Sequence, residues 1–436
     1  MQKYQNYKTT NIKWIDQIPA DWNEIPLRKV FEDVKNSNTN GDNIRMLSLV
    51  KDIGIIPYED RGNQGNKSSD KLEKYKIVEK GDFVINKMNA VLGSLGISEY
   101  EGLVSPVYYV LRNRNEDEFI SRYFELIFKT RSVQRFLRTM SKGIMEIRES
   151  VDWNELKNMA LPLPSVENQK SIVGYVNRVD KLTRDFIKQK QSYIELLKEY
   201  KQSKLNELVT KGLDPDVRMK DSGIEWLGKI PEHWEVRRLK DLVTTITKGT
   251  TPSTLGKEIY KTGKIRFIKA ENITYGEGIK DTPINYIDHE TNDILSRSRL
   301  EEGDVLFVIA GATIGKVAVV QLDILPANTN QAVCIIRPID TKLSKFLELF
   351  LQTSYIGEMI RLKSVQSAQP NISMTDISNF NISFPPLQEL KLIIDEYNGI
   401  SISINNQIQM LKKEIHLMKK YRQSLIYELV TGKRKP

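Results

Sequence analysis

Apolar residues recur at steps of three and four along the last fifty residues. From Gln388 onward the apolar positions are Ile393, Tyr397, Ile400, Ile404, Ile408, Leu411, Ile415, Met418, Leu425 and Leu429. This spacing places them on one face of an α-helix, so it predicts a long helix with a continuous apolar seam. A weaker seam comprises Ile172, Val176, Val179, Leu182, Phe186, Tyr193, Leu197 and Leu208. Each helix is expected to have about 40 residues, or roughly 60 Å at the α-helical rise.

Two apolar seams in one chain are most economically buried against each other. We therefore predict that the two long helices form an antiparallel, coiled-coil-like pair. The alternative is that each seam packs only on its own domain. The run Gly212-Leu213-Asp214-Pro215 is typical of a helix end, and it predicts a short link to the second half of the chain.

Outside the seams the pattern changes to short apolar runs bounded by turn residues. Lys80-Gly81-Asp82 precedes Phe83-Val84-Ile85, and Glu302-Gly303-Asp304 precedes Val305-Leu306-Phe307. Both predict a turn that leads into a strand, and a glycine turn at Gly93 or Gly315 predicts a second strand after it. Later in each half, amphipathic helices are predicted around Phe124 and Phe350, followed by capped short helices at Asp152 and Ser373.

The same order of elements occurs twice. Trp14–Trp22 returns as Trp226–Trp234 with Ile-Pro-x-x-Trp in both copies, and each copy ends on Glu-Leu-Val-Thr, at residues 207–210 and 428–431. Identities are densest at the ends of the copies and sparse in the middle. We therefore predict an α/β (α+β) fold in which a frame has been duplicated and its inserts have diverged.

Composition favours a polyanionic partner. The chain has 436 residues with 65 Lys and Arg against 56 Asp and Glu, a net charge of +9, and the alternative is a merely basic soluble protein. The single cysteine, Cys334, excludes an internal disulfide and reads as a buried strand residue. With no apolar signal core or membrane-length run, we expect a cytoplasmic protein that does not bind a membrane.

No catalytic or metal-binding motif emerges from the sequence. The three histidines are scattered and have no cysteine companions, which argues against a zinc site. Gly311–Lys316 resembles a phosphate-binding loop, but it has three residues between its glycines, and Val317 replaces the Ser or Thr that would hold magnesium. We interpret this run as a hairpin turn.

The divergent inserts carry cationic and amide side chains in predicted loops. Lys and Arg can neutralise phosphates, while Arg on guanine and Asn or Gln on adenine can read bases. Each such residue taken singly is more often a solvated surface residue. The candidate DNA-binding residues are Lys51, Arg61, Asn63, Gln64, Lys67, Lys87, Asn89, Arg148, Lys248, Thr250, Thr251, Lys269, Asn272, Lys316, Gln366, Gln369 and Asn371. Arg131, Arg135 and Arg138 also follow a helical pattern in the first copy.

Taken together, these features resemble the specificity (S) subunits of type I restriction-modification systems. The resemblance covers nearly the whole chain. It rests on the order of the repeated Ile-Pro-x-x-Trp and Gly-Asp strand entries, Gln369–Ser373 with Asp376, the closings Leu161–Pro164 and Phe384–Leu387, and the two terminal helices. The first copy departs at Arg148–Val151, and the second has Gln388-Glu389-Leu390 where such proteins usually show Glu-Gln.

The resemblance implies two target recognition domains, at 1–165 and 213–386, with a central helix at 166–212 and a C-terminal helix at 387–436. Each domain would read one half of a bipartite, asymmetric target in double-stranded DNA, and the helices would set the spacer. The chain would be non-catalytic and hold no cofactor. It would dock two modification (methyltransferase) subunits, which use S-adenosylmethionine, and two restriction (motor-nuclease) subunits would complete the complex. Two alternatives remain: the recognition part of a self-sufficient DNA-modifying enzyme, or a coiled-coil scaffold.

Overall fold

The computed structural model describes residues 2–41, 44–51, 53–62, 72–142, 150–276, 278–280, 282–283, 285–364 and 371–436. The chain divides into two compact units. Unit 1 comprises Met1–Gln191 and Lys412–Pro436, and unit 2 comprises Ser192–Leu411. Both boundaries fall inside the long helices, so each unit contains part of each helix.

The first half of the chain is rich in short strands and ends in a long helix. Its elements, in chain order, are β1 (Tyr7–Thr9), β2 (Gln17–Pro19), β3 (Asn23–Pro26), α1 (Leu27–Val30), β4 (Phe31–Asp33), β5 (Leu47–Val50), β6 (Gly54–Pro57), β7 (Lys76–Val78), β8 (Phe83–Asn86), β9 (Leu95–Ile97), β10 (Gly102–Val104), β11 (Tyr108–Asn113), α2 (Ser121–Phe128), α3 (Arg131–Thr139), β12 (Ser141–Lys142), β13 (Ser150–Val151), α4 (Trp153–Leu156), β14 (Ala160–Leu163) and α5 (Val166–Lys211).

The second half repeats this order with a longer insert. Its elements are β15 (Met219–Asp221), β16 (Lys229–Pro231), β17 (Glu235–Arg238), β18 (Val243–Lys248), β19 (Ile265–Ile268), β20 (Ile273–Thr274), β21 (Gly278–Ile279), β22 (Asn285–Ile287), α6 (His289–Ile294), β23 (Val305–Val308), β24 (Val317–Val319), β25 (Ala327–Thr329), β26 (Val333–Pro338), α7 (Ser344–Leu351), α8 (Ser354–Ser364), α9 (Met374–Ser378), β27 (Asn381–Phe384) and α10 (Leu387–Val430).

Equivalent four-stranded antiparallel sheets occupy the two units. Their strand orders are β4-β11-β8-β9 in unit 1 and β18-β26-β23-β24 in unit 2. The predicted glycine turns are confirmed, because Gly93 and Gly315 adopt φ of +80° and +88° in the β8–β9 and β23–β24 hairpins. Gly311–Lys316 lies in the second hairpin, which confirms the turn interpretation of that run.

The repeated Gly-Asp turn has a structural cause. Buried Asp82 accepts a hydrogen bond from the Glu79 backbone N–H at 2.9 Å, and Arg112 Nε and Nη2 donate to its two oxygens at 2.9 and 3.0 Å. In unit 2, Asp304 accepts from the Glu301 N–H at 2.8 Å and from Arg337 at 2.7 and 2.8 Å. These bonds raise the pKa of both guanidinium groups above the usual arginine value.

Each unit buries the end of a long helix in its core. Leu429 and Val430 of α10 pack with Trp22 in unit 1, and Leu208 and Val209 of α5 pack with Trp234 in unit 2. The repeated Glu-Leu-Val-Thr signature is therefore a packing motif for the Ile-Pro-x-x-Trp motif. Gly212 confirms the predicted helix end: its φ is +78°, and a Cβ there would lie 3.2 Å from the Trp234 ring.

The predicted antiparallel pairing of the long helices is confirmed within each unit. In unit 1, Arg422 pairs with Asp180 at 2.6 Å and Lys190 with Glu414 at 2.7 Å, so numbers rise along α5 as they fall along α10. In unit 2, Lys201 Nζ donates to Asn405 Oδ1 at 3.1 Å.

The seam of α5 differs in part from its prediction. Leu182 and Tyr193 are exposed, so their assignment to the apolar seam was wrong. Ile194 is buried instead. Between Val176 and Ile194 the buried positions include Asp180 and Thr183. This polar interruption is stable because Asp180 is paired with Arg422, as described above.

The single cysteine follows its sequence prediction. Cys334 lies buried in β26, where burial raises the pKa of its thiol to about 12, and this argues against a reactive thiolate. No helix within the described residues combines the length and apolarity needed to cross a bilayer.

Candidate nucleic-acid interface

In unit 1 the β8–β9 hairpin presents Lys87 and Asn89 in its loop. The loop is rigid at its base, because buried Asn86 accepts from the Met88 N–H at 3.1 Å and the Asn89 N–H donates to the Asn86 carbonyl at 3.0 Å. The Val151 N–H donates to the Lys87 carbonyl at 2.9 Å. The segment that follows residues 143–149 therefore lies beside this loop.

A lysine cluster that sequence reasoning missed surrounds Lys87. Lys76 Nζ donates to the Tyr108 carbonyl at 2.8 Å, and Lys76 is half-buried next to Asp33, Lys35 and Lys87. Burial lowers the pKa of Lys76, and Lys87 and Lys35 lower it further, against the effect of Asp33. Burial likewise raises the pKa of Asp33, which Lys76 and Lys35 oppose. Asp33 thus interacts with Lys76 and Lys35, and Lys76 also lies close enough to Lys87 for their charges to repel.

The other described candidates of unit 1 lie on a different hairpin. Lys51 is exposed in the turn between β5 and β6, and Arg61 ends a 3₁₀ turn at Tyr58–Arg61. The Arg61 guanidinium carbon lies 4.1 Å from the centroid of the Tyr58 ring. This stacking restricts the guanidinium to one side of the ring.

In unit 2 the loop after β18 is held against the end of β25. A Cβ built on Gly249 would lie 2.0 Å from the Thr329 carbonyl oxygen, so only glycine fits this approach. Thr251 Oγ1 donates to Gln331 Oε1. Lys248, Thr250 and Thr251 are thus brought to residues 329–331, where Gln331 offers an amide that the sequence reasoning did not select. Its position in the polar run Asn328–Gln331 was the available signal.

Lys269 also lies near residues 329–331, because it follows strand β19, which pairs with β25. β19 and β25 pair in parallel, with Ile268 opposite Thr329, so Lys269 and Asn330 follow at the same sheet edge. Asn272 has a different role from the predicted one. It is 1% exposed, its Oδ1 accepts from the Lys269 N–H at 3.0 Å, and its Nδ2 donates to the carbonyls of Pro283 and Lys280 at 3.0 and 3.3 Å. Its amide fixes the backbone at Lys269 and is not available to a ligand.

Lys316 lies in the β23–β24 hairpin, and Asn371, from the segment before α9, is bridged to it. Lys316 precedes β24, and Asn371 pairs with Ala310 in an isolated antiparallel bridge. The Ile309 N–H donates to the Ala332 carbonyl at 2.9 Å, which joins this hairpin to the loop that contains Gln331. The described candidates of unit 2, apart from Asn272, therefore occupy adjoining loops.

Several candidates lie outside the described residues. They are Asn63, Gln64, Lys67, Arg148, Gln366 and Gln369. Within the described parts of the chain, no group of three or more His, Cys, Asp or Glu side chains is placed to hold a metal ion.

Equivalent loop positions differ in chemistry between the units. The sheets align β8 with β23 and β9 with β24, which sets Lys87 against Ile309, Asn89 against Gly311 and Ser94 against Lys316. The backbone bond from Val151 to Lys87 in unit 1 recurs from Ile372 to Ile309 at 3.0 Å in unit 2. One scaffold therefore presents two different sets of polar side chains.

Comparison with known proteins identifies relatives along almost the whole chain. The family profile of the type I restriction modification DNA specificity domain matches residues 19–196 and 231–414. The MjaVIII type I restriction enzyme specificity subunit of Methanocaldococcus jannaschii is 24% identical over 447 residues, which cover 98% of this chain and 97% of that subunit. The MjaIX specificity subunit of the same organism is 23% identical, with coverage of 96% and 94%.

Solved structures share the fold. A chain from a type I R-M system, described for its complex assembly and conformational transition, aligns with a TM-score of 0.70 at 16% identity and covers 96% of this chain and 99% of its own. The HsdS subunit from Thermoanaerobacter tengcongensis aligns with a TM-score of 0.53 at 18% identity, with coverage of 96% and 98%.

Proposed function

The chain belongs to the type I restriction modification DNA specificity family, and we propose that each of its two units reads one half of a bipartite, asymmetric target in double-stranded DNA. The observation that carries the proposal is the pair of equivalent hairpins with different loop chemistry: Lys87 and Asn89 in unit 1, Lys316 in unit 2. A duplicated scaffold with dissimilar loops suits a target whose halves are dissimilar.

In this proposal the chain has no catalytic activity, and its only role is to recognise the DNA target sequence. Methylation of adenine belongs to two modification subunits that bind S-adenosylmethionine, and two restriction subunits complete the complex. The long helices set the length of the unread spacer. Two identical partners require two equivalent docking surfaces on this chain.

The long helices offer such a repeated surface. Leu196 and Tyr200 are 60% and 51% exposed in unit 2, and Leu417 and Tyr421, at the same positions of the second copy, are 52% and 48% exposed in unit 1. Exposed leucine and tyrosine side chains are the kind that become anchors in protein interfaces. We assign the docking of the modification subunits to these two pairs.

A pair of substitutions tests DNA binding in each unit. Lys87→Gln and Lys269→Gln are expected to weaken duplex binding and leave partner assembly intact, because each removes a cation from a recognition loop. Lys80→Gln and Lys264→Gln are matched controls, since Lys80 precedes β8 and Lys264 precedes β19, at the opposite ends of the same strands. Equal weakening by the controls, or loss of assembly in Lys87→Gln, would argue against the assigned loops.

The function itself is tested by mapping methylated adenines in the genome of a host that carries this chain and its modification subunit. The expected result is one motif with two different halves and a fixed gap. A continuous motif would contradict bipartite reading. Robust methylation by the purified chain alone, given DNA and methyl donor, would favour a self-sufficient enzyme.

A scaffold protein without a DNA target remains the second possibility from the sequence. Salt dependence separates the two, since phosphate contacts release counterions and make binding fall steeply as salt rises. Duplex binding that is absent or insensitive to salt would favour the scaffold.

A further inference from the structure

We propose that helix α3 is a phosphate-binding element that clamps the DNA backbone beside the first recognition loop, and that the second unit has no counterpart. The inference rests on the proposed DNA-reading function and adds a contact surface to it. The surface is the arginine row, defined as Arg131, Arg135 and Arg138.

The helix geometry aligns the arginine row on one exposed face. The three residues lie at i, i+4 and i+7, which on an α-helix are neighbours along one side over about 10 Å. The opposite face holds Val133 and Leu137, both fully buried in the core of unit 1. All three arginine side chains are exposed, and none has a hydrogen bond or ion pair with another described residue.

The sequence from Leu126 to Met145, which contains the arginine row, carries charges of one sign only. No Asp or Glu occurs from Leu126 to Met145, whereas Lys129 and Lys142 flank the row in sequence. Lys129 is neutralised by Glu125 at 2.6 Å, whereas the three arginines have no acidic partner among the residues that the structure describes. Free guanidinium groups in a row are suited to duplex DNA, which carries one negative charge per roughly 1.7 Å of helix axis.

Packing places α3 next to the recognition loop. A Cβ built on Gly93, in the loop that carries Lys87 and Asn89, would lie 2.8 Å from Gln134 Nε2 of α3. Gln134 is adjacent to Arg135 in sequence. A duplex read by the loop therefore has its backbone within reach of the row.

The second unit provides an internal comparison. α2–α3 and α7–α8 align without a gap, and their capping threonines act alike: Thr130 accepts from the Val133 N–H and Thr353 from the Ile356 N–H, both at 3.4 Å. In this alignment Ser354, Glu358 and Arg361 replace the arginine row. Three positive charges in unit 1 thus correspond to one positive and one negative charge in unit 2.

The cations of α8 are moreover used within the protein. Arg361 Nη2 pairs with Glu358 at 2.5 Å, and Lys363 pairs with Asp376 at 3.1 Å. A docking surface for two identical protein subunits should recur in both units, as the Leu196–Tyr200 and Leu417–Tyr421 pairs do. The arginine row does not recur, which favours DNA, the partner whose two halves differ, as its ligand.

The test compares salt dependence of binding to a duplex of mixed sequence, about 40 base pairs long, between about 50 and 300 mM salt. The triple variant Arg131→Gln, Arg135→Gln, Arg138→Gln in the full chain should lower the slope of log K against log salt by about 2 to 3, since each phosphate contact contributes about 0.9. Affinity at 0.1 M salt should fall by at least about tenfold. The triple lysine variant, which keeps the charges, should retain most of the slope.

The matched control is Arg361→Gln with Lys363→Gln in α8, which removes cations that are already paired and should leave the slope unchanged. Unfolding of each variant, followed by circular dichroism, shows whether the exposed substitutions leave the fold intact. An unaltered slope in the triple glutamine variant, while the original chain binds steeply, would overturn the proposal. So would normal DNA binding combined with loss of the modification subunit. If the original chain itself bound no duplex, the proposed function would fail first.

Discussion

Gln169 marks a position where the two copies satisfy the same backbone differently. It is fully buried near the start of α5, where its Oε1 accepts from the Ile120 N–H at 2.9 Å and its Nε2 donates to the carbonyls of Pro164 and Glu118 at 3.1 and 3.2 Å. One side chain thus joins three backbone groups at the entry to the long helix.

The second copy has Leu390 at this position and does not need the amide. The Leu343 N–H, which corresponds to that of Ile120, donates to the Asp340 carbonyl at 3.0 Å within a 3₁₀ turn. Leu390 is then free to pack in the core of unit 2. The departure at Gln388-Glu389-Leu390 therefore reflects a local exchange of a side-chain bond for a backbone bond.

Gln169→Leu is expected to destabilise unit 1 by about 2 to 6 kcal/mol, because the Ile120 N–H and the Pro164 carbonyl lose their partner at about 1 to 3 kcal/mol each, whereas Glu118 is exposed and can bond to water. The free energy of unfolding can be measured by urea denaturation. Gln388→Leu, at an exposed position in the first turn of α10, is the control and should change stability by less than about 0.5 kcal/mol. If Gln169→Leu were as stable as Gln388→Leu, the backbone groups released by the loss of the Gln169 amide would have to be bonded to water.

At the scale of elements, the pairing of α5 with α10 is chemically different in the two units. In unit 1 the contact includes the bidentate Arg422–Asp180 pair, with Asp180 6% exposed. The corresponding positions of the second copy are Lys201 and Ser401, and Lys201 donates to Asn405. The contact in unit 1 is therefore the one that depends on a buried charge.

Asp180→Ala should destabilise unit 1 by about 3 to 5 kcal/mol, because it leaves the Arg422 guanidinium partly buried and unpaired. Adding Arg422→Met should recover most of that loss, since an apolar pair of similar volume removes the unpaired charge. The measurement is thermal unfolding of the single and double variants. Ser401→Ala is the control in unit 2, with an expected change below about 1 kcal/mol. No recovery in the double variant would assign the loss to packing instead of charge.

Local patterns sufficed for most elements but not for the detail of their packing. The period of apolar residues predicts α10 closely, since the seam from Ile393 to Leu429 lies within Leu387–Val430. For α5 the same rule misassigned Leu182 and Tyr193, because Asp180 is buried there by a partner more than 200 residues away in sequence. Periodicity contains no information about that partner.

The candidate interface shows the same limit. Lys87 and Lys269 could be selected because they follow strands, but the burial of Asn272 depends on Lys280 and Pro283. Lys76 was missed because it lies within strand β7, whereas the candidates were chosen from predicted loops. A side chain's exposure is decided by tertiary contacts, which residue type and spacing do not report.

At the scale of the whole molecule, neither copy completes a unit by itself. Unit 1 takes Leu429 and Val430 from the end of the second copy, and unit 2 takes Leu208 and Val209 from the end of the first. Gly432 closes this contact in unit 1, where a Cβ would lie 2.2 Å from Pro19 Cδ. Each long helix therefore belongs in part to unit 1 and in part to unit 2. A change in helix length consequently affects both units.

The proposed role of the helices leads to a prediction about the DNA target. Inserting seven residues next to Leu197 of α5 and seven next to Ile408 of α10 adds two helical turns to each and keeps the apolar seam in register. The added length is about 10 Å, so the accepted spacer should grow by about two to three base pairs at roughly 3.4 Å each. Both half-sites should stay the same, because the recognition loops are unchanged.

Mapping methylated adenines in a host with each variant and the modification subunit reports both halves and their gap in one experiment. The control inserts seven residues into the exposed turn at Asp214–Asp216, after α5 has ended, and should leave the spacer as it was. An altered half-site would mean that the insertion disturbs a recognition unit. If the spacer stayed the same with full activity, the helices would have lengthened without changing the distance between the two half-sites. The partner subunits would then set the spacer length.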